Sequence, residues 1–373
     1  LSASISTQPA YDVAVIGGGL LGAAVAYGLA GLGLKTLMVD EGDIAHRAAR
    51  GNTSLVWVQG KGHGCPAYTA WTVRAAEAWP VFAAELNELT GVDANYRRTG
   101  GLKFCLGDTE FESRHRLIDS IETESPAARS EMLDRQALLD IYSEIGPQVT
   151  GASYNPMDGQ VNSLLLWRAL HQGFQQHNGQ YLPRHSVGSI RQIGNAFELV
   201  AGNETVWAEK VLLAAGIANA RLAAQVGLNG GVRPVRGQVL VSEKLQSRFA
   251  VPATDLVQTD AGGLLIGNVE EDAGLDESTN IRVLSGMARR AVATFPSLES
   301  VQLVRSWAAL RVMTEDGNPL YQRSESHPGA FAASTHSGVT LAPLHATVLA
   351  RWIAGLEMDP AVEAFRPEQR HVH

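Results

Sequence analysis

Three glycines and one acid carry the first chemical signal in this chain. Gly17-x-Gly19-x-x-Gly22 follows the apolar run Val13-Ala14-Val15-Ile16, and Asp40 closes a second apolar run, Thr36-Leu37-Met38-Val39. Glycines at this spacing let the backbone of a turn approach a diphosphate. A helix starting there points its first amides at the anion, and an acid about 20 residues on accepts hydrogen bonds from ribose hydroxyls. Leu21, Val25, Leu29 and Leu32 lie between the two runs at helical spacing, so the segment reads as a strand–helix–strand unit for an adenine dinucleotide. The motif alone leaves NAD and FAD both open. Glu41 and Asp43 read as ordinary surface acids.

A second set of residues could hold an anion. Arg305-Ser306-Trp307-Ala308-Ala309-Leu310-Arg311 reads as a strand, whose period of two puts Arg305, Trp307, Ala309 and Arg311 on one face. A guanidinium fork grips a carboxylate through two parallel hydrogen bonds, so this face suits the wall of a site for an anionic substrate. A structural ion pair is the competing reading, and it weighs more on Arg305 than on Arg311. His336-Ser337-Gly338-Val339-Thr340 stands between a strand and a helix, where free helix-start amides carry a positive partial charge.

The elements around these residues follow from periodicity and breakers. A helical run passes through Trp71, Ala75, Ala78, Trp79, Phe82 and Leu86. Residues 107–145 are charged and helix-prone, which reads as a peripheral region. A helix from Leu164 to Gln176 precedes strands at Phe197–Val200 and Val206–Ala208. Lys210–Leu213 reads as a buried strand running into the small-residue turn Ala214-Ala215-Gly216. A helix over Ala218–Val226 is stopped by Gly227, and another lies near Leu284–Phe295. The strand Gly329–Ser334 and a helix carrying Leu341, Leu344, Val348, Leu349 and Trp352 end the chain. Dinucleotide-type elements thus occur at the start, middle and end, with strand-rich segments between them. One discontinuous cofactor domain with an inserted substrate domain explains that order.

Bulk properties exclude several classes. The 373 residues, 45% hydrophobic and 18% charged, can bury a sizeable core, and a net charge of -8 without a basic stripe argues against nucleic acid. No run approaches the ~18 apolar residues of a membrane helix. Residues 1–10 lack the charged and apolar regions of a secretory signal. Two cysteines, Cys65 and Cys105, without metal spacing suit a reducing cytoplasm and no metal site. The histidines form no ligand cluster, and His371 and His373 sit in a tail.

Taken together, the motifs resemble the D-amino-acid oxidase superfamily of FAD enzymes. They run from Asp12–Asp40 through Arg50-Gly51-Asn52, Ala214-Ala215-Gly216 and Arg233-Pro234-Val235-Arg236-Gly237-Gln238 to Trp307–Arg311, Asp316-Gly317-Asn318-Pro319 and Gly338–Pro343. Val56–Gly62 and His336–Pro343 are similar to a narrower set, the flavin subunits of heteromeric dehydrogenases for opines, D-hydroxyproline or proline.

The resemblance implies an α/β (mixed α+β) fold. A Rossmann-like FAD-binding domain would comprise 11–84, 155–227 and 318–366, with an inserted mixed-sheet substrate domain over 85–154 and 228–317 and flexible tails at 1–10 and 367–373. It implies cofactor contacts at Gly17, Gly19, Gly22, Asp40, Arg50, Gly51, Asn52, Val187, Ala215, Gly216, Gly338, Val339 and Thr340, and a substrate carboxylate on Arg311. Arg305 and His336 complete the candidate catalytic set, His336 helping to stabilise negative charge on the reduced ring or capping its loop. Ala49 replaces a serine common before the Arg50–Asn52 loop. Val257, Gln258 and Thr259 hold no counterpart of the family tyrosine that often helps bind the carboxylate. The covalent-flavin cysteine is missing near Trp307–Thr314, so FAD is expected to be noncovalent.

The implied reaction is oxidation of a C–N bond by hydride transfer to FAD in an amino-acid-like carboxylate. The chain would be a cytoplasmic member of a heteromeric dehydrogenase, partnered by other flavin or iron–sulfur subunits. Alternatives are a homomeric glycine, sarcosine or D-amino-acid oxidase using O₂, a flavin relay or scaffold subunit, and a NAD-linked dehydrogenase, which the Ala214–Gly216 and Gly338–Pro343 motifs disfavour.

Overall fold

Alternation along the strands decides how the molecule layers. The computed structural model describes residues 9–42 and 47–369; the first eight residues, Asp43, His371 and His373 lie outside the described residues. Strand Tyr11–Ile16 sends Val13 and Val15 into one apolar cluster and Ala14 and Ile16 into another. Thr36–Asp40, Glu204–Leu213 and Ala330–Ser334 divide their side chains the same way. Strands covered on both faces must be apolar at every position, which is why these runs read as continuous rather than alternating.

These strands build an eight-stranded sheet. Tyr11–Ile16 pairs in parallel with Glu204–Leu213 and with Thr36–Asp40, which pairs in parallel with Gln180–Pro183. Ala330–Ser334 adds in parallel beyond Glu204–Leu213 and carries Leu320–Arg323 antiparallel at the edge. The hairpin Val187–Ile193 and Ala196–Ala201 extends from Glu204–Leu213. Helices Leu20–Gly31, Pro66–Thr90 and Ser163–Gln176 supply residues to the cluster on one face. The Asn162 side chain caps the last of these by accepting from the Leu164 and Leu165 amides.

The second sheet is built on one long pair. Val232–Lys244 runs antiparallel to Leu303–Thr314, from Val232 opposite Thr314 to Ser242 opposite Leu303. Gly263–Ile266 and Leu256–Gln258 follow on the other side of Val232–Lys244. A bridge at Leu102 and Ala253 joins this sheet to Gly101–Leu106, Val149–Asn155 and Glu131–Asp134. Its core holds Phe104, Leu138, Leu240, Phe249, Leu264, Leu284 and Phe295.

Four expectations need correction. Val206–Ala208 and Lys210–Leu213 belong to one strand, Glu204–Leu213. The Ala218–Val226 segment is short 3₁₀ and α pieces, although Gly227 ends it with a φ of 65°. The helix expected to end the chain starts at Ala342, one residue past Leu341, contains a π turn at His345–Leu349 and is followed by a further short helix, Pro360–Glu363. The 107–145 region is not merely peripheral: its helix Asp108–Glu124 buries Ile118 and Ile121 and sends Arg114 inward.

Candidate active site

A trench opens where the parallel strands end. Ile16, Asp40, Ala214 and Ser334, at or just past the carboxyl ends of four neighbouring strands, line a cavity of about 250 Å³. Open α/β sheets bind ligands at this end. The three glycines do different work there. Gly17 has a φ of 105°, and a Cβ on it would stand 2.3 Å from the Ala214 carbonyl oxygen. A Cβ on Gly22 would stand 1.9 Å from the Gly17 carbonyl oxygen, so this glycine lets the helix sit on the turn. A Cβ on Gly19 would meet protein only at 3.9 Å, on Ala49. Gly19 lines the trench, so its missing side chain leaves room for a ligand. Helix Leu20–Gly31 starts at Gly19 with no side-chain cap, and its first residues, Leu20 and Leu21, line the trench, a placement that suits an anion.

Asp40 has two duties. Its Oδ2 accepts from the Gly18 amide at 2.6 Å and its Oδ1 from the Gly42 amide at 2.7 Å. The carboxylate has further lone pairs for ribose hydroxyls and lines the trench. The Gly18 carbonyl accepts from Trp167 Nε1 at 2.6 Å and lies 2.8 Å from His171 Nε2, so the Gly18 amide and carbonyl are both held. Arg50 lines the trench and lies over the Trp167 ring. The Asn52 side chain donates to the Ala48 and Ala49 carbonyls and accepts from the Ser54 amide, holding the loop shape. Gly51 lies on the wall of the adjoining chamber, and Val187, Ala215 and Gly216 line the trench. Asn219, unsuspected from sequence, joins these strand ends: its Oδ1 accepts from the Ala215 amide, and its Nδ2 donates to the Leu213 and Ala333 carbonyls.

The far end of the trench is the His336–Thr340 loop. Thr340 Oγ1 accepts from the Trp57 amide and its carbonyl from Trp79 Nε1, so the Thr340 side chain is a structural clasp. Ser337 Oγ lies 2.6 Å from Tyr68 Oη. The Gly338, Val339 and Thr340 amides meet no protein acceptor among the described residues. Burial, then the charges of Lys61 and Arg311, hold the His336 imidazole well below its ordinary range, so it is neutral near pH 7. Any positive field at this end comes from the amides and the two cations rather than from an imidazolium.

A second chamber of about 290 Å³ continues the trench, sharing Ala48, Asn52, Leu310, Val312, Thr335, His336 and Val339 with it. Arg311 enters it from strand Leu303–Thr314. Its guanidinium lies over Gly237, where a Cβ would stand 2.5 Å from Nη1. Nη1 donates to the Val269 carbonyl at 2.6 Å. Nε and Nη2 have no protein acceptor among the described residues. Burial draws the guanidinium below its ordinary value and the Glu270 carboxylate opposes this, but an arginine stays charged.

Arg305 is not brought to the site. It is exposed, lies over the Trp307 ring and lines neither cavity. Trp307 donates from Nε1 to the Gly51 carbonyl at 3.1 Å and so supports the Arg50–Asn52 loop. Period two puts Arg305 and Arg311 on one face, but six residues of strand separate them by about 20 Å.

Sequence reasoning also missed the support behind the chamber. Asp158 is fully buried and accepts from the Val58 amide at 2.5 Å and from Gln59 Nε2 at 2.7 Å. Gln59 Oε1 accepts from Arg114 Nη2 and from Ser153 Oγ. Burial outweighs these hydrogen bonds and the Arg114 charge, pushing the Asp158 carboxyl up to about 7. A third cavity of about 900 Å³ on the other sheet shares only Asn268 with the chamber and is crossed by Arg290, which is paired with Glu110 and Asp255.

The trench offers an anion site on a helix start, an acid for ribose and unaccepted amides at its far end, beside an arginine chamber. These residues fit FAD: Gly17–Gly22 and Asp40 would hold its dinucleotide portion, and Gly338–Thr340 its ring. Residues 12–352 match the family model described as DAO, FAD dependent oxidoreductase. The chain belongs to that family of FAD-dependent oxidoreductases. It is 40% identical over 362 residues to the B subunit of opine oxidase from Agrobacterium tumefaciens (strain Ach5), covering 96% of this chain and 98% of that one. It is 38% identical over 356 residues to the B subunit of opine oxidase from Rhizobium meliloti, covering 95% and 96%. The crystal structure of glycine oxidase from Geobacillus kaustophilus superposes with a TM-score of 0.88 at 25% identity, covering 97% of this chain and 99% of that one. The family match sets aside the NAD reading.

Proposed function

We propose that this chain oxidises the C–N bond of an amino-acid-like carboxylate, an opine, D-hydroxyproline, a D-amino acid or an N-substituted amino acid. We further propose that it acts as one member of a heteromeric dehydrogenase. The observation that carries the reading is Arg311, anchored through Nη1 with its other nitrogens unaccepted, in a chamber continuous with the dinucleotide trench. Arg311 holds the substrate carboxylate and thereby sets the α-carbon at the junction of chamber and trench. His336, held neutral, serves there as a hydrogen-bond partner and is too weak a base to take a proton from an ammonium. A substrate amine bound neutral needs no base: loss of hydride from carbon leaves an iminium, which water hydrolyses to a keto acid and an amine. FAD, when bound, supplies the two-electron acceptor.

Both opine oxidase relatives are named as one subunit of an enzyme, which supports the heteromeric arrangement. No cysteine lines the trench or the chamber, which supports noncovalent FAD. The cytoplasmic reading rests on cysteine usage; among the described residues no helix is long and apolar enough to cross a membrane. The separation of the eight-stranded sheet from the sheets built on Val232–Lys244 and Val149–Asn155 supports the division into a cofactor domain of 11–84, 155–227 and 318–366 and a substrate domain of 85–154 and 228–317.

The purified flavoprotein, mixed anaerobically with opines, D-amino acids, hydroxyproline and sarcosine, tests the reading. Loss of the oxidised flavin absorbance with at least one of them supports it, and no loss with any opposes it. The likeness to a glycine oxidase favours a second reading, a homomeric oxidase using O₂. Stoichiometric peroxide release from the chain alone identifies that case.

A further inference from the structure

The chamber holds a second cation that the carboxylate grip does not use. Lys61 lines it with Arg311, and both charges bear on His336. The loop is shaped to present this residue. Gly60 and Gly62, on either side, have φ of 76° and 75°, a region that side-chain-bearing residues rarely adopt. The Lys61 amide donates to the Val58 carbonyl at 3.1 Å, and Thr69 Oγ1 donates to the Lys61 carbonyl at 3.0 Å. Behind them stands the Asp158–Gln59–Arg114–Ser153 network, whose Arg114 packs where a Gly60 Cβ would stand. A buried polar network of this kind rigidifies what it holds. The lysine head itself has no ion-pair or hydrogen-bond partner among the described residues. Surface lysines extend into water, whereas this one is half-buried and borders a cavity.

We infer that Lys61 is the anchor for a second substrate carboxylate, so that the site selects secondary amines bearing a carboxylate on both sides of the nitrogen. The inference rests on the proposed reading of the chamber. Arg311 takes the carboxylate next to the carbon that is oxidised, and Lys61 takes the one on the nitrogen substituent. Glu270 also lines the chamber and its charge bears on Arg311, so a second carboxylate is disfavoured on that side and favoured beside Lys61.

The test compares iminodiacetate with sarcosine, which share an amine and one carboxylate and differ by the second. Lys61→Met keeps the stem and removes the charge, and Lys61→Arg restores it. In the holoprotein, Lys61→Met is expected to raise KM for iminodiacetate about 10- to 100-fold, as when a charge-assisted hydrogen bond is lost. The KM for sarcosine should change less than twofold, any loss of kcat should be alike for the two amines because the Lys61 charge also bears on the ring end, and Lys61→Arg should recover most of the loss. Equal effects on the two KM values overturn the assignment. So does loss of FAD from Lys61→Met, which would make the lysine a cofactor contact. Calorimetry with thiodiacetate and (methylthio)acetate, which carry no oxidisable amine, decides the matter even if neither amine is oxidised. A wild-type preference for thiodiacetate that vanishes in Lys61→Met supports Lys61 while the amine-oxidation reading fails. No such preference overturns the inference alone.

Discussion

Adding one methyl group at two neighbouring glycines should separate folding from cofactor binding. At Gly22 the new carbon stands 1.9 Å from the Gly17 carbonyl oxygen, about 1.4 Å short of an ordinary C···O contact of about 3.3 Å. Backbone is the obstacle, so the turn must move as a whole, and overpacking of this kind costs about 1–3 kcal/mol or more. At Gly19 the new carbon meets protein only at 3.9 Å, and φ there is −68°, which any residue adopts. Gly19→Ala therefore folds with stability within about 1 kcal/mol of the parent, but its methyl occupies the place where a diphosphate meets the helix start. Losing one charge-assisted hydrogen bond there is worth about 1.5–3 kcal/mol, or roughly 10- to 100-fold in FAD affinity. The assay is thermal unfolding of the flavin-free protein beside FAD titration by fluorescence quenching. Gly22→Ala should melt several degrees lower, and Gly19→Ala should melt like the parent and bind FAD weakly. A Gly19→Ala protein with parental FAD affinity would refute the assigned roles of these glycines.

Arg305→Ala should leave KM for every substrate within about twofold, because the residue is exposed on Trp307 and lines neither cavity; a tenfold rise would put it back in the site. Asp158 titrates near 7 in the folded protein and near 4 when unfolded. Between these values the native state keeps a proton that the unfolded chain has lost, so this group's contribution to stability falls as pH rises from about 4 to 7. Asp158→Asn should flatten that part of the melting-temperature profile, and an unchanged slope would show that the carboxyl is already ionised.

Local features of the site were legible and long-range ones were not. The glycine spacing, the acid at Asp40 and the doubly buried runs are set by neighbours in sequence, so periodicity exposed both the turn and the layering. The Arg305–Arg311 face was legible as a face, but not how much of it a cavity covers, because that depends on where the Arg50–Asn52 loop packs against the strand. Thr340 has the sequence look of a cofactor contact, yet its hydroxyl is engaged by the Trp57 amide, 283 residues away. The Asp158–Gln59–Arg114–Ser153 network draws its members from one helix, one strand and two separate loops, each unremarkable in its own stretch. Only the fold brings them together. Lys61 lies between Gly60 and Gly62, a composition equally compatible with plain surface or with a face on the flavin; the two positive φ values and the cavity beside it are visible only in the fold.

Arg311→Met gives the most direct test of the central claim, that a carboxylate held in this chamber is oxidised beside FAD. The measurement is the rate of anaerobic flavin bleaching by a substrate of the parent protein, with FAD content and melting temperature as controls. The expected result is a loss on the order of 100-fold or more in bleaching efficiency with FAD retained, as for removal of a two-point guanidinium grip. Bleaching at the parental rate by the variant would contradict it.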